Sequence, residues 1–275
     1  VSDRPLHRRA VKLAFACLGP SRAHWQETWP GLGLERAGAE REGAIVWHGQ
    51  RLAPLAPLGA LAERAGTTVC IVGSGPSMRG TDPGLLPGWR IALNGAASLD
   101  LGGAVAVEDE RFVWRHLDML RRHLAPEMPR LLSPAVIRVL AARAPNLLRA
   151  GPVVLMENLG KRAGERRRRE LPLVSQRPEA GVVVAGTVAF SALQMALALP
   201  VAGVAFAGVD LGNAGAPRFY ERAGDAAPSG LLAGLERILG HFAAAHELAR
   251  ARGVELWTVT PGSALERIGI PYRPV

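Results

Sequence analysis

The chain has 275 residues, 48% of them apolar, and a formal net charge of +9 carried almost entirely by arginine. That length and apolar content exclude a disordered chain and predict one α/β domain with an N-terminal extension. The two cysteines, Cys17 and Cys70, exclude a disulfide framework or a cysteine-based zinc site, and the basic balance favours polyanions, anionic membranes or negatively charged substrates without choosing among them.

Residues 1–9 are charged but lead into no signal-like apolar core, so a cytoplasmic protein with buried, reduced thiols is expected. Apolar runs predict strands over 11–17 and 44–48, and an amphipathic stretch predicts a helix over 55–65. Residues 1–66 read as an extension or an added edge of the sheet, and 67–275 as the main domain.

The strand predicted over 69–72 runs into Gly73-Ser74-Gly75-Pro76-Ser77. Glycines there let the backbone turn sharply and approach a ligand, with amides free to donate hydrogen bonds. The third glycine of the dinucleotide fingerprint and the Gly-Lys-Ser/Thr of a P-loop are missing, which disfavours an ordinary NAD or ATP site. Strands over 90–93 and 104–107 follow, the first ending at Asn94 and the second at Glu108-Asp109-Glu110.

Helices are predicted over 111–123, 134–144, 188–199 and 231–252, and strands over 153–155, 182–184, 201–207 and 255–259. Alternation of this kind is the pattern of a doubly wound, mostly parallel sheet. The stretch 180–211 carries only Asp210 as a charge and is long enough for a bilayer span of ~20 residues, but Gly186 and Pro200 punctuate it as a β-turn-α-β unit. The basic run 161–170 is either a solvated face or a contact for a phosphorylated or membrane-borne acceptor. The Gly- and Pro-rich stretch 212–230 is read as a lid.

The series Gly73 to Ser77, then Asp82, Leu85-Leu86-Pro87, Arg90 and Asn94 resembles the start of the bacterial CMP-sialic acid-dependent sialyltransferases. Gly186-Thr187-Val188, Gly208-Val209-Asp210-Leu211 and the segment from Trp257 to Ser263 are similar, in order, to later blocks of that family. The resemblance spans about residues 67–268 and extends to flagellin-modification glycosyltransferase-like proteins, an archaeal hydroxymethylpterin pyrophosphokinase and bacterial Kdo transferases.

The resemblance implies a Rossmann-like fold and a metal-independent glycosyltransferase whose nucleotide-sugar donor, a CMP-linked ulosonic acid, is a substrate rather than a cofactor. It implies a glycan or glycolipid acceptor; the Arg-rich surface suits peripheral contact with an anionic membrane, and no nucleic acid is expected, since aromatic platforms and a helix-turn-helix pattern are lacking. Gly73, Ser74, Gly75, Pro76 and Ser77 would face ribose and phosphate, Asn94 would bond the nucleotide, and Asp210 would position a sugar or base edge. Gly186 and Thr187 would offer an anion site at a helix N-terminus, or simply a helix cap.

This chain departs from the family at three places. Gly212 stands where the family's leaving-group tyrosines begin, leaving Arg218 and Tyr220 for that work. The position of the general-base histidine falls near Glu236, with His241 as the chemically better candidate. Glu108 and Asp109 replace a donor-binding Asn. They could bind a sugar hydroxyl, serve as nucleophile or base, or cap the next helix with Glu110.

Two other function classes are weighed. A pyrophosphokinase-like phosphotransferase would use Mg²⁺ on Glu108 and Asp109. A nucleic-acid- or polysaccharide-binding module would rest on the charge and on Arg166 to Arg169, and a transferase that has kept its fold but lost its chemistry would rest on the missing tyrosine and the displaced histidine.

Overall fold

The computed structural model describes residues 4–19, 22–38, 41–162, 171–212, 215–222 and 230–275. Most of the basic run, including Arg166 to Arg169, and positions 213–214 and 223–229 of the expected lid lie outside the described residues.

The chain opens with helix α1 (Leu6–Cys17), where the apolar run 11–17 predicts a strand. The helical period wins because Arg4, Arg8 and Lys12, four residues apart, fall on one face and meet the buried Glu110. Cys17 is consequently exposed, contrary to the expectation for both thiols.

Strands β1 (Leu32–Glu35), β2 (Gly43–Trp47) and β3 (Gln50–Leu55) form an antiparallel meander of their own. His48 and Gly49, both with positive φ, make the two-residue turn between β2 and β3. Ala56 N–H donates to Val153 O, tying the end of this meander to the main sheet. The helix predicted over 55–65 shrinks to a 3₁₀ turn, Leu58–Leu61, and the single-turn α2 (Ala62–Ala65), since β3 claims Leu55 and prolines occupy 54 and 57.

The remaining elements are β4 (Thr68–Val72), β5 (Trp89–Leu93), β6 (Ala104–Val107), α3 (Glu110–His123), β7 (Arg130–Leu132), α4 (Pro134–Arg143), α5 (Asn146–Arg149), β8 (Val153–Leu155), α6 (Leu159–Arg162), α7 (Val188–Leu197), β9 (Gly203–Ala207), α8 (Leu235–Ala251) and β10 (Glu255–Thr258). Strands β4 to β10 make one parallel sheet in the order β10-β9-β4-β5-β6-β7-β8. With helices on its faces, this is a Rossmann-like α/β domain.

Both faces of the sheet are covered, so its central strands read as unbroken apolar runs. Val69, Cys70, Ile71 and Val72 of β4 are fully buried, and burial pushes the Cys70 thiol up to about 12. Helix α7 is buried from Ala189 to Leu197 and packs Phe190 edge-to-face against Phe242 of α8, 5.2 Å between ring centroids. That accounts for the long uncharged stretch. Among the described residues, no helix is long and apolar enough to cross a membrane.

The predicted strand 182–184 is not one. Val182 makes a single parallel bridge to Asn158, and Gln194 of α7 supplies the rest: its Oε1 accepts from Val183 N–H at 3.0 Å and its Nε2 donates to Val183 O at 2.8 Å. A buried side-chain amide thus satisfies backbone groups that a neighbouring strand would otherwise have taken.

Candidate active site

From β4 the chain winds outward through β5, β6, β7 and β8, then returns to the other side of β4 to form β9 and β10. The direction reverses between β4 and β9, so the loops leaving these strands diverge and open a crevice at their carboxyl ends. A cavity of about 720 Å³ occupies it.

One wall is the Gly73 to Pro76 turn. Gly73 N–H donates to Ala207 O at 2.7 Å and Gly75 N–H to Gly208 O at 2.9 Å, while Ser77 N–H points to Asp210 Oδ2 at 3.4 Å. These amides are engaged in holding the two loops together, which corrects the expectation that they are free for a ligand. Asp210 is 8% exposed and presses on Gly75, where a Cβ would collide with its carboxylate. Ser74 Oγ donates to Leu93 O at 3.0 Å. Ser77 itself does not line the cavity, and its buried Oγ has no partner among the described residues.

Asn94 follows β5 with φ 49°, a conformation that asparagine tolerates better than most residues. It lines the cavity, and its buried Oδ1 is also without a partner. Buried acceptors of this kind are rare enough to mark a place for a donor.

Glu108 follows β6. Burial pushes its carboxyl up to about 7, with Glu27 and Asp109 adding to the rise, while the hydrogen bond from Ser191 and the charge of Lys161 work against it. Ser191 Oγ donates to Oε2 at 3.1 Å, and Ser133 Oγ donates to the Glu108 carbonyl at 2.7 Å, fixing the residue at both ends. Asp109, 54% exposed, caps α3 by accepting from Arg111 N–H at 2.9 Å. The adjacent acids therefore do different things.

Glu110 is buried and gathers Arg4, Arg8, Lys12 and Arg138. Burial opposes its charge, but these four cations prevail and hold its carboxyl down to about 2. Through this cluster Arg4 and Lys12 reach the cavity wall, joined by Glu27, which pairs with Lys161. The N-terminal segment thus contributes to the site. The signal that could have shown it is the i, i+4, i+8 spacing of Arg4, Arg8 and Lys12.

At the far wall Gly186, with φ 99°, precedes Thr187, whose Oγ1 accepts from Ala189 N–H at 3.3 Å as the cap of α7. Arg237, absent from the sequence-based candidates, lines the cavity here and donates to Ala185 O at 2.7 Å. A guanidinium beside a helix N-terminus suits an anion.

Of the other candidates, Arg218 lines the cavity and pairs with Glu221 at 2.8 Å. Tyr220 does not line it; its ring packs on Gly95 and sits 5.6 Å from that of His116, and burial pushes its hydroxyl up to about 12. His241 and Glu236 also lie outside the lining. The His241 ring packs on Phe190, with Nδ1 2.7 Å from Leu173 O, and Glu236 is 77% exposed, paired with Arg267 at 2.8 Å. Among the described residues, no group of three or more His, Cys, Asp or Glu is placed to hold a metal ion.

No protein-family model matches the chain, and no curated protein matches it. A solved structure similar to it is that of the sialyltransferase CstII from Campylobacter jejuni in complex with a substrate analogue, cytidine-5'-monophosphate. The identity is 16% and the TM-score 0.38, over 74% of this chain and 83% of that one. A likeness at that level carries no argument about the site.

Proposed function

We propose that the protein is a glycosyltransferase that takes a nucleotide-activated sugar in the crevice between β4 and β9 and passes the sugar to an acceptor hydroxyl. The observation that carries this reading is Glu108: a carboxyl with its pKa near 7 on the wall of a nucleotide-sized cavity at the switch point of a parallel sheet. A group poised near neutral pH is suited to accept a proton as a hydroxyl attacks.

In this reading Asn94 Oδ1 accepts a hydrogen bond from the nucleoside. Arg237 and the N-terminus of α7 receive the phosphate that departs with the electron pair of the broken sugar–oxygen bond. Arg218 also faces the cavity and adds positive charge. Glu108 takes the acceptor proton, the role that the family resemblance would give to His241 or Glu236. The order of motif blocks over residues 67–268 favours a CMP-linked ulosonic acid as donor and a glycan or glycolipid as acceptor.

The test is thermal stabilisation by CMP, CDP, UDP, GDP and ATP, each with EDTA and with Mg²⁺. Ligand at 100 times its dissociation constant adds ~2.7 kcal/mol to stability. A shift selective for CMP in EDTA supports the reading. A shift that requires ATP and Mg²⁺ replaces it with phosphotransfer, and no shift with any nucleotide removes it.

A further inference from the structure

Helix α1 is inside out. Arg4, just before it, and Arg8 and Lys12 within it turn toward the protein, with Arg4 Nε 2.8 Å, Arg8 Nε 3.2 Å and Lys12 Nζ 3.3 Å from the Glu110 carboxylate. This buried cluster fixes the rotation of the helix and leaves its apolar stripe facing solvent. Leu6 is 78% exposed and Leu13 68%, and Ala10 and Cys17 on the same stripe are exposed too. An ordinary surface helix turns the other way.

The exposed apolar surface continues past the helix through Leu18, Trp25 and Trp29, so five of the ten large exposed apolar side chains among the described residues fall within 6–29. Arg9 and Arg22 are exposed among them, and the Arg22 guanidinium lies 5.7 Å over the Trp25 ring. Leucine and tryptophan interleaved with arginine match the boundary between acyl chains and headgroups, where the rings and the aliphatic groups enter and the guanidinium groups stay with phosphates.

We infer that this face of α1, with Trp25 and Trp29, docks on an anionic membrane surface. Charge favours that occupant over a second copy of the chain, because self-association would bring two bodies of net charge +9 together. Arg4, Lys12 and Glu27 of the same segment line the cavity, so docking holds its wall at headgroup level. There a lipid-linked acceptor hydroxyl could enter, a consequence that rests on the transferase reading.

The test is co-sedimentation of the full chain with phosphatidylcholine vesicles with and without phosphatidylglycerol, for wild type, L6Q/L13Q and R9Q/R22Q. Solution mass and CMP-induced stabilisation are measured on the same samples. Wild type is expected to sediment with the anionic vesicles and to be released by salt. L6Q/L13Q is expected to lose about tenfold or more in partitioning, at unchanged charge and melting temperature, and R9Q/R22Q to lose the preference for phosphatidylglycerol. Wild type remaining in the supernatant overturns the inference, as does L6Q/L13Q binding as well as wild type. A dimer that L6Q/L13Q dissolves, with no vesicle binding, overturns it in favour of self-association. Absence of a CMP shift with vesicle binding intact removes the transferase reading and leaves the docking surface standing.

Discussion

The carboxylate of Asp210 occupies the space where a side chain on Gly75 would begin, and this joins the loop after β9 to the loop after β4 across the switch point of the sheet. Gly75→Ala forces the two apart. Overpacking of this kind costs ~1–3 kcal/mol, so urea denaturation should show a loss in that range. Adding Asp210→Ala to Gly75→Ala should recover part of it, a coupling that a double-mutant cycle reads directly.

Glu108 makes stability and turnover depend on pH in the same window. Its pKa is raised from 4.5 to about 7, so the native state favours the proton. The contribution is fully present below pH 4.5 and is lost as pH rises through 7. Glu108→Gln should therefore gain stability relative to wild type at pH 8 and show a flatter stability profile between pH 5 and 8. In a transferase assay kcat/KM of the wild type should rise with an apparent pKa near 7. E108Q should lose ~10²–10⁴ in turnover, and E108Q with full turnover would remove Glu108 from the mechanism.

Glu110 has the opposite sign. Its pKa is lowered from 4.5 to about 2, so its contribution is present above pH 4.5 and is lost as pH falls toward 2. Glu110→Gln strands buried Arg8 and Arg138 without their counter-charge, a change that costs ~3–5 kcal/mol. Hydrogen exchange should speed up over residues 6–17 first, since α1 is anchored there.

Arg237→Ala should weaken nucleotide binding about tenfold to a hundredfold, the scale of a lost hydrogen bond to a charged group, with little change in melting temperature. Calorimetry with CMP and with cytidine separates the two contributions. If Arg237 meets the phosphate, the nucleoside should bind both proteins equally.

His241→Gln and Glu236→Gln should leave kcat within about twofold of wild type, because both side chains lie outside the cavity lining and surface substitutions of this kind are usually small in effect. A pH profile that changes shape in either variant would restore these residues to the reaction.

Much of the parallel sheet was legible from residue order. A strand buried on both faces must be apolar along its whole length, and 69–72, 104–107 and 203–207 carry that mark however the chain folds around them. The glycine turn after β4, Asn94 after β5, Glu108 after β6 and Asp210 after β9 were visible for the same reason, since each ends such a run. What residue order could not supply was partnership at a distance. Gln194 replaces a strand beside Val183, Glu110 turns the apolar run 11–17 into an inside-out helix, and Asp210 takes the amide of Ser77 in a turn whose sequence predicts amides free for a ligand. The near-neutral carboxyl of Glu108 is likewise a property of its surroundings: burial in the folded protein and the charge of Glu27 raise it, while Ser191 and Lys161, also brought from distant parts of the chain, hold the rise in check.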